Sequence, residues 1–156
     1  MDSAVVSGMA GAAIRPAVAS DVDALMAIEA VFPTDRLERR GFHYAIRSPT
    51  IDLLVAERGG TALGYVAVHR RRRSSLAHLA SVAVRPDLAG QGLGSTLLAA
   101  GEAQAVRHGC ARLVLEVRAD NMAAQRLYDR AGYCRVRIVN DYYEDGAAAW
   151  RYEKTL

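Results

Sequence analysis

Apolar residues recur along this chain of 156 residues in two rhythms, a period of two and a period of three to four. Two β-rich runs, 51–57 and 63–68, flank Gly59-Gly60, the pattern of a tight hairpin. A third run, 76–84, follows the corner Arg70-Arg71-Arg72-Arg73, so the three predict an antiparallel meander. Ahead of it, 13–17 predicts a short strand. Ser20 with Asp23 then reads as a capping box opening a helix whose apolar side carries Val22, Leu25, Met26 and Ile28. Pro33 ends that helix. Thr34 or Asp35 is placed to cap a second one, which bears Arg36, Arg39, Arg40 and Arg47 and stops at Ser48-Pro49.

Beyond the break at Pro86-Asp87, Leu93, Leu97, Leu98 and Ala105 mark a helix starting at Gly92 and closing at Arg107-His108-Gly109. Leu113, Leu115 and Val117 then alternate with Val114, Glu116 and Arg118, a strand with Glu116 on the face opposite the leucines. Asn121 caps a helix carrying Ala124, Leu127, Tyr128 and Ala131 and closed by Gly132; runs 133–139 and 148–152 supply the last strands. These elements predict a three-layer α/β fold with a mixed, mostly antiparallel sheet of about seven strands and about four helices. They form one domain over 13–156, after a flexible tail over 1–12 that is rich in Ala, Gly and Ser.

Composition narrows the chemistry. At 51% hydrophobic the chain is long enough for one core and short for two. The net charge of +3 comes from arginine, since Lys154 is the only lysine; it suits an anionic ligand and does not by itself argue for nucleic acid. Cys110 and Cys134 make no disulfide framework, and His43, His69, His78 and His108 have no metal-ligand spacing with them, so a reduced cytoplasmic setting without a metal is expected. The start of the chain carries Asp2 and no basic flank, unlike a signal peptide, and no apolar run nears the ~20 residues of a membrane span.

The stretch Ala89-Gly90-Gln91-Gly92-Leu93-Gly94 joins a strand to a helix, where backbone N–H groups and the helix dipole converge on an anion. Glycines let phosphate oxygens approach that backbone. Gly94-Ser95-Thr96 lacks the lysine of a P-loop, and position 95 lacks the glycine of a dinucleotide fingerprint. The bland alternative is a tight turn and nothing more.

Further on stand Leu115-Glu116-Val117-Arg118, Asn121, Ala123-Ala124, Leu127-Tyr128 and Gly132-Tyr133. With the glycine turn, these resemble the GCN5-related N-acetyltransferases (GNAT), and within them the RimI-like branch of ribosomal-protein alanine N-acetyltransferases. The match covers about half the chain, residues 75–152. The resemblance implies acetyl-CoA as donor, with its pantetheine arm along Val82, Ala83 and Val84 and its pyrophosphate on the N–H groups of Gly90, Gln91, Gly92, Leu93, Gly94 and Ser95. It also implies a cofactor contact from Asn121, Glu116 as general base and Tyr128 as general acid. Where the family usually has Arg or Gln, this chain has Ala89, which removes a charge-assisted contact of about 1.5–3 kcal/mol.

Acyl transfer to an amine needs a neutral amine and a proton for the departing thiolate. An α-amine of pKa about 7.8 is roughly a quarter neutral at pH 7.4, a lysine of about 10.4 roughly a thousandth, so an N-terminus is the easier acceptor. Glu116 is placed to remove the proton through a water, the more readily where burial lifts its pKa above the reference of about 4.3. The reading is direct acetyl transfer, in a ternary complex, to a protein N-terminus. Its rivals are acetylation of a small amine (a polyamine, an amino acid or an antibiotic) and a non-catalytic acyl-CoA-binding module.

Residues 33–40 are expected to border the acceptor cleft, facing Tyr142-Tyr143-Glu144-Asp145; Glu144 and Asp145 either hold a cationic amine or form a solvated turn. Arg70 to Arg73 read as a solvated hairpin end or as a steering patch for an acidic partner, the ribosome or the anionic cofactor. They lack the aromatics of a single-strand nucleic-acid platform, and no direct nucleic-acid binding is expected. His69 and His78 are assigned to surface or sheet packing. An exposed final strand would allow a homodimer.

Overall fold

Gly59 and Gly60 take φ of 61° and 85°, as a two-residue hairpin loop requires, and close β3 (Ile51–Arg58) onto β4 (Thr61–Arg70). The computed structural model describes residues 4–5 and 12–156. β5 (Leu76–Val84) lies antiparallel to β4, but the register slips: Leu79 faces Val68 and Ser81 faces Ala67. Ala80 is left as the extra residue of a bulge, which reverses the side-chain alternation downstream of it.

On the far side of β5, β6 (Arg112–Arg118) runs parallel, and β8 (Ala149–Thr155) pairs antiparallel along all of β6. β7 (Cys134–Val139) lies outside β8. With β2 (Ala13–Pro16) and the two-residue β1 (Ala4–Val5), the order among the described residues is β1-β2-β3-β4-β5-β6-β8-β7, and of these pairs only β5–β6 is parallel. The seven strands longer than two residues and the mixed, mostly antiparallel arrangement agree with the sequence pattern.

Two expectations change. Ala4 and Val5 pair with Ile14 and Ala13, so this part of the expected tail is a strand; residues 1–3 and 6–11 lie outside the described residues. The final strand β8 is flanked by β6 and β7 and offers no free edge. The edge is β7, where Val136 and Ile138 are exposed.

Helices α1 (Val22–Glu29) and α2 (Arg39–Arg47) cover one sheet face, α3 (Leu93–Arg107) and α4 (Met122–Arg130) the other. The alternation of β4 feeds both cores: Val66 and Val68 pack with Leu97 and Leu98 of α3, while Tyr65 and Ala67 pack with Leu25, Ile28 and Phe42. Asn121 caps α4 through Ala124 N–H at 3.1 Å, as expected. The caps foreseen for α1 and α2 are not made. Asp21, clamped by Arg15 at 2.8 and 2.9 Å, accepts from Val18 N–H at 2.7 Å, and α2 follows an extended Glu38. Thr34 and Asp35 lie earlier, in a loop with other duties. No helix among the described residues is long and apolar enough to cross a membrane.

Candidate active site

β5 and β6 pair only at Leu76–Arg112, Ala77–Leu113 and His78–Val114. Past those rungs the strands part, leaving Leu79 to Val84 and Leu115 to Arg118 without each other's hydrogen bonds. The fork opens a cavity of about 480 Å³. Leu79, Ala80, Ser81 and Val82 line it from β5, Glu116, Val117 and Arg118 from β6, and Asn121, Ala124 and Tyr128 from the α4 side.

At the far end of β5 the chain turns through Gly90 (φ 80°) and Gly92 (φ 83°), conformations that would strain any side chain, and enters α3. The N–H groups of Leu93, Gly94 and Ser95 precede the first helical bond, Thr96 N–H to Gly92 O at 3.1 Å. No carboxylate occurs between Leu88 and Gly101. This cradle of free amides at a helix N-terminus fits a pyrophosphate. Gln91 is exposed, while the Leu93 side chain is buried in the core, so Leu93 can contribute only its backbone. Val82 and Asn121 reach the cavity, whereas the side chains of Ala83 and Val84 pack into the two cores and leave only backbone for a ligand.

Glu116 has the fewest degrees of freedom in the cleft. Its side chain is 4% exposed, its Oε1 lies 2.7 Å from His78 Nε2, and its Oε2 accepts from Arg151 at 2.8 Å and 2.6 Å. Tyr142 adds a longer hydroxyl contact at 3.3 Å. Burial pushes this carboxyl up, as the sequence suggested, but His78 and Arg151 outweigh it and hold it down to about 2. The condition under which burial would help Glu116 as a base is therefore not met: Glu116 is a fixed anion at neutral pH. Because an ionised carboxylate only accepts, His78 donates Nε2–H, and in the neutral ring the lone pair then lies on Nδ1.

Sequence reasoning missed His78 and Arg151. The chain separations of 38 and 35 residues carry no local signal, although Arg151 is the direct cross-strand partner of Glu116. His69, the cross-strand partner of His78, lines the cavity, and burial, with a smaller effect of His78, lowers its pKa.

Tyr128 is 5% exposed, held edge-on to Tyr133 at 5.8 Å and tilted to Tyr152 at 6.0 Å. Burial pushes its pKa up, so the phenol keeps its proton. Residues 32–37 and Tyr143 complete the rim. The two loops are tied together: Asp35 N–H donates to Glu144 at 2.8 Å, and Glu144 N–H donates to Asp35 at 3.1 Å. Arg118 binds Asp145 at 2.8 Å, approaches Thr34 at 3.5 Å and stacks 5.1 Å from the Tyr143 ring centroid. Glu144 and Asp145 are thus committed to the rim rather than free for an amine. Below it, buried Glu29 accepts from Leu37 N–H at 2.7 Å and from the Tyr65 hydroxyl, which also reaches Ser81 at 3.0 Å. The rim loop is anchored to the sheet.

Among the described residues no group of three or more His, Cys, Asp or Glu is placed to hold a metal. The sheet thus forks beside its parallel pair, with an amide cradle opening α3 and a buried carboxylate and phenol in the fork.

The model of the Acetyltransferase (GNAT) family matches residues 22–133, and the chain belongs to that family. It falls in the RimI-like branch. A Bacillus subtilis (strain 168) protein provisionally named a ribosomal protein bS18-alanine N-acetyltransferase is 32% identical over 135 residues, covering 86% of this chain and 88% of that protein. The crystal structure of the ribosomal-protein-S18-alanine N-acetyltransferase from Escherichia coli is 26% identical, with a TM-score of 0.80 over 92% of this chain and 93% of that one. Ard1 from Thermoplasma volcanium shares the fold at a TM-score of 0.85 and 22% identity, covering 94% and 98% of the two chains.

Proposed function

We propose that the chain transfers acetyl from acetyl-CoA to the α-amine at a protein N-terminus, by direct attack within a ternary complex. The rim carries this reading. Reciprocal Asp35–Glu144 bonds and the Arg118–Asp145 pair bridge the two loops over the cleft, so an acceptor enters end-on, as a chain terminus can, rather than lying across it as an internal lysine would. The named bS18-alanine relatives support the same acceptor class. A cytoplasmic site of action belongs to this reading, in keeping with the unpaired Cys110 and Cys134.

When bound, acetyl-CoA supplies a thioester carbonyl. Its phosphates would rest on the amides from Gly90 to Ser95 and its pantetheine arm on the open backbone of Val82, Ala83 and Val84, with Asn121 alongside. The role of Glu116 is revised from sole base to half of a pair. A carboxylate held near 2 is a weak proton acceptor, but its fixed charge orients His78 and stabilises that ring once protonated. The amine proton passes, through water, to Nδ1 of His78. As the new C–N bond forms and the C–S bond breaks, Tyr128 donates its proton to the sulfur.

The experiment is mass spectrometry of a panel of peptides with free and blocked N-termini, and of small amines, after incubation with acetyl-CoA. Acetyl on free N-termini alone supports the reading. Product on polyamines, amino acids or antibiotics replaces it with small-amine acetylation, and cofactor binding with no turnover on any acceptor points to the regulatory module.

A further inference from the structure

Four donor atoms of the protein surround the carboxylate of Glu116. His78 Nε2 at 2.7 Å and the Tyr142 hydroxyl at 3.3 Å stand on Oε1. Arg151 covers Oε2, with Nε–H at 2.8 Å and Nη2 at 2.6 Å. A carboxylate offers about four lone-pair positions, so none is left for an amine or a water. Exposure agrees: the side chain of Glu116 is 4% exposed, that of His78 43%. A water bridging to the acceptor can reach the imidazole and not the carboxylate.

Arg151 owes this position to the order of the strands. It is the direct cross-strand partner of Glu116, so both side chains leave the sheet on one face, while the next residue, Tyr152, is buried in the core on the other. On its opposite flank the register partner is Arg137 of β7, a like charge that exerts no competing pull. Glu116 is its only carboxylate partner among the described residues. A guanidinium presents its N–H groups as a rigid planar fork, so the cover over Oε2 is directed as well as charged.

We propose that Arg151 is a positioning residue that seals Glu116 against protons and so commits the acceptor's proton to Nδ1 of His78. The inference rests on the proton path given above and not on which amine is acetylated. Oε1 is occupied in orienting His78, which leaves Oε2 as the oxygen able to serve as a base, and Arg151 closes it. With the guanidinium removed, burial, which pushes this carboxyl up, is opposed chiefly by His78. Oε2 then takes the amine proton through water while Tyr128 protonates the departing sulfur as before. The altered protein has two routes for the proton where the native one has a single route.

The test is a double-mutant cycle on kcat, with acetyl-CoA and whichever amine the acceptor panel identifies. Arg151→Met keeps an unbranched stem but carries no donor. His78→Gln is expected to cost about 10²-fold in the native background and less than about tenfold beside Arg151→Met. A merely structural role for Arg151 would scale both backgrounds alike, and an unchanged His78→Gln factor would overturn the inference. A small cost of His78→Gln in the native background is a different result: it removes the proton path itself, and the inference with it. A second measurement needs no turnover and no variant. The carboxyl carbon-13 shift of Glu116, followed by NMR, should stay flat in the native protein from about pH 7 down to about pH 4, and its midpoint should rise by about one pH unit or more in Arg151→Met. A native midpoint near the usual 4.5 would overturn the sealing whether or not the variant folds.

Discussion

The Oε1 of Glu116 and the Nε2 of His78 lie 2.7 Å apart where the parallel strands β5 and β6 begin to separate. Val114, opposite His78, is the last paired residue, and Glu116, two residues on, points to the same face. The fork thus brings a base-competent imidazole and a fixed anion to its own apex.

Replacing His78 with Gln should lower kcat by about 10²-fold or more, the usual worth of a general base. The loss should fall on kcat while KM for acetyl-CoA stays within about twofold. A merely structural role would move both, and steady-state rates decide between them.

Glu116→Gln should lower kcat comparably and also change acid stability. The folded carboxyl is held at about 2, below its usual value of 4.5, so ionised Glu116 stabilises the fold above pH about 4.5. That contribution is lost as pH falls from 4.5 toward 2. Urea unfolding at a series of pH values should therefore show a shallower acid loss in the variant.

Tyr128→Phe should cut kcat by about 10²-fold while leaving Tm within about 2 °C, because the ring contacts with Tyr133 and Tyr152 survive. Burial raises the phenol's pKa, so wild-type activity should show no loss attributable to this proton up to pH about 10.

Glu144→Ala removes the acceptor for Asp35 N–H and loosens the rim. Selectivity should relax: the ratio of N-terminal to lysine acetylation, measured by peptide mapping, is expected to fall several-fold, with kcat on N-termini little changed. An unaltered ratio would remove the rim from the account of acceptor choice.

Gly64 lies in β4 where an added methyl would meet Ala83 O at 2.8 Å and Leu97 Cδ1 at 3.0 Å. Gly64→Ala should cost about 1–3 kcal/mol of stability by chemical denaturation and, by pushing on the Ala83 backbone, raise KM for acetyl-CoA.

Much of this was legible in the chain. The alternation of Leu113, Leu115 and Val117, the glycines before α3 and the Asn121 cap are signals confined to a few residues, and local conformational preference decides them. The caps of α1 and α2 were misread because Asp21 is drawn to Arg15 in a different strand and Leu37 N–H to Glu29 across a loop. Propensity yields where a tertiary partner satisfies the same group better.

The residue types in the fork, the glycine turn and the helix-strand order follow from sequence alone, because period, glycine and cap are short-range. The charge state of Glu116, the bridging of Asp35 to Glu144 and the inner position of β8 were decided by tertiary structure. Each depends on which strand lies beside which: β8 enters between β6 and β7 and carries Arg151 to Glu116, and the parallel contact of β5 carries His78 there. A pKa reports the field of whatever is near in space, and nothing local in the chain encodes that neighbourhood.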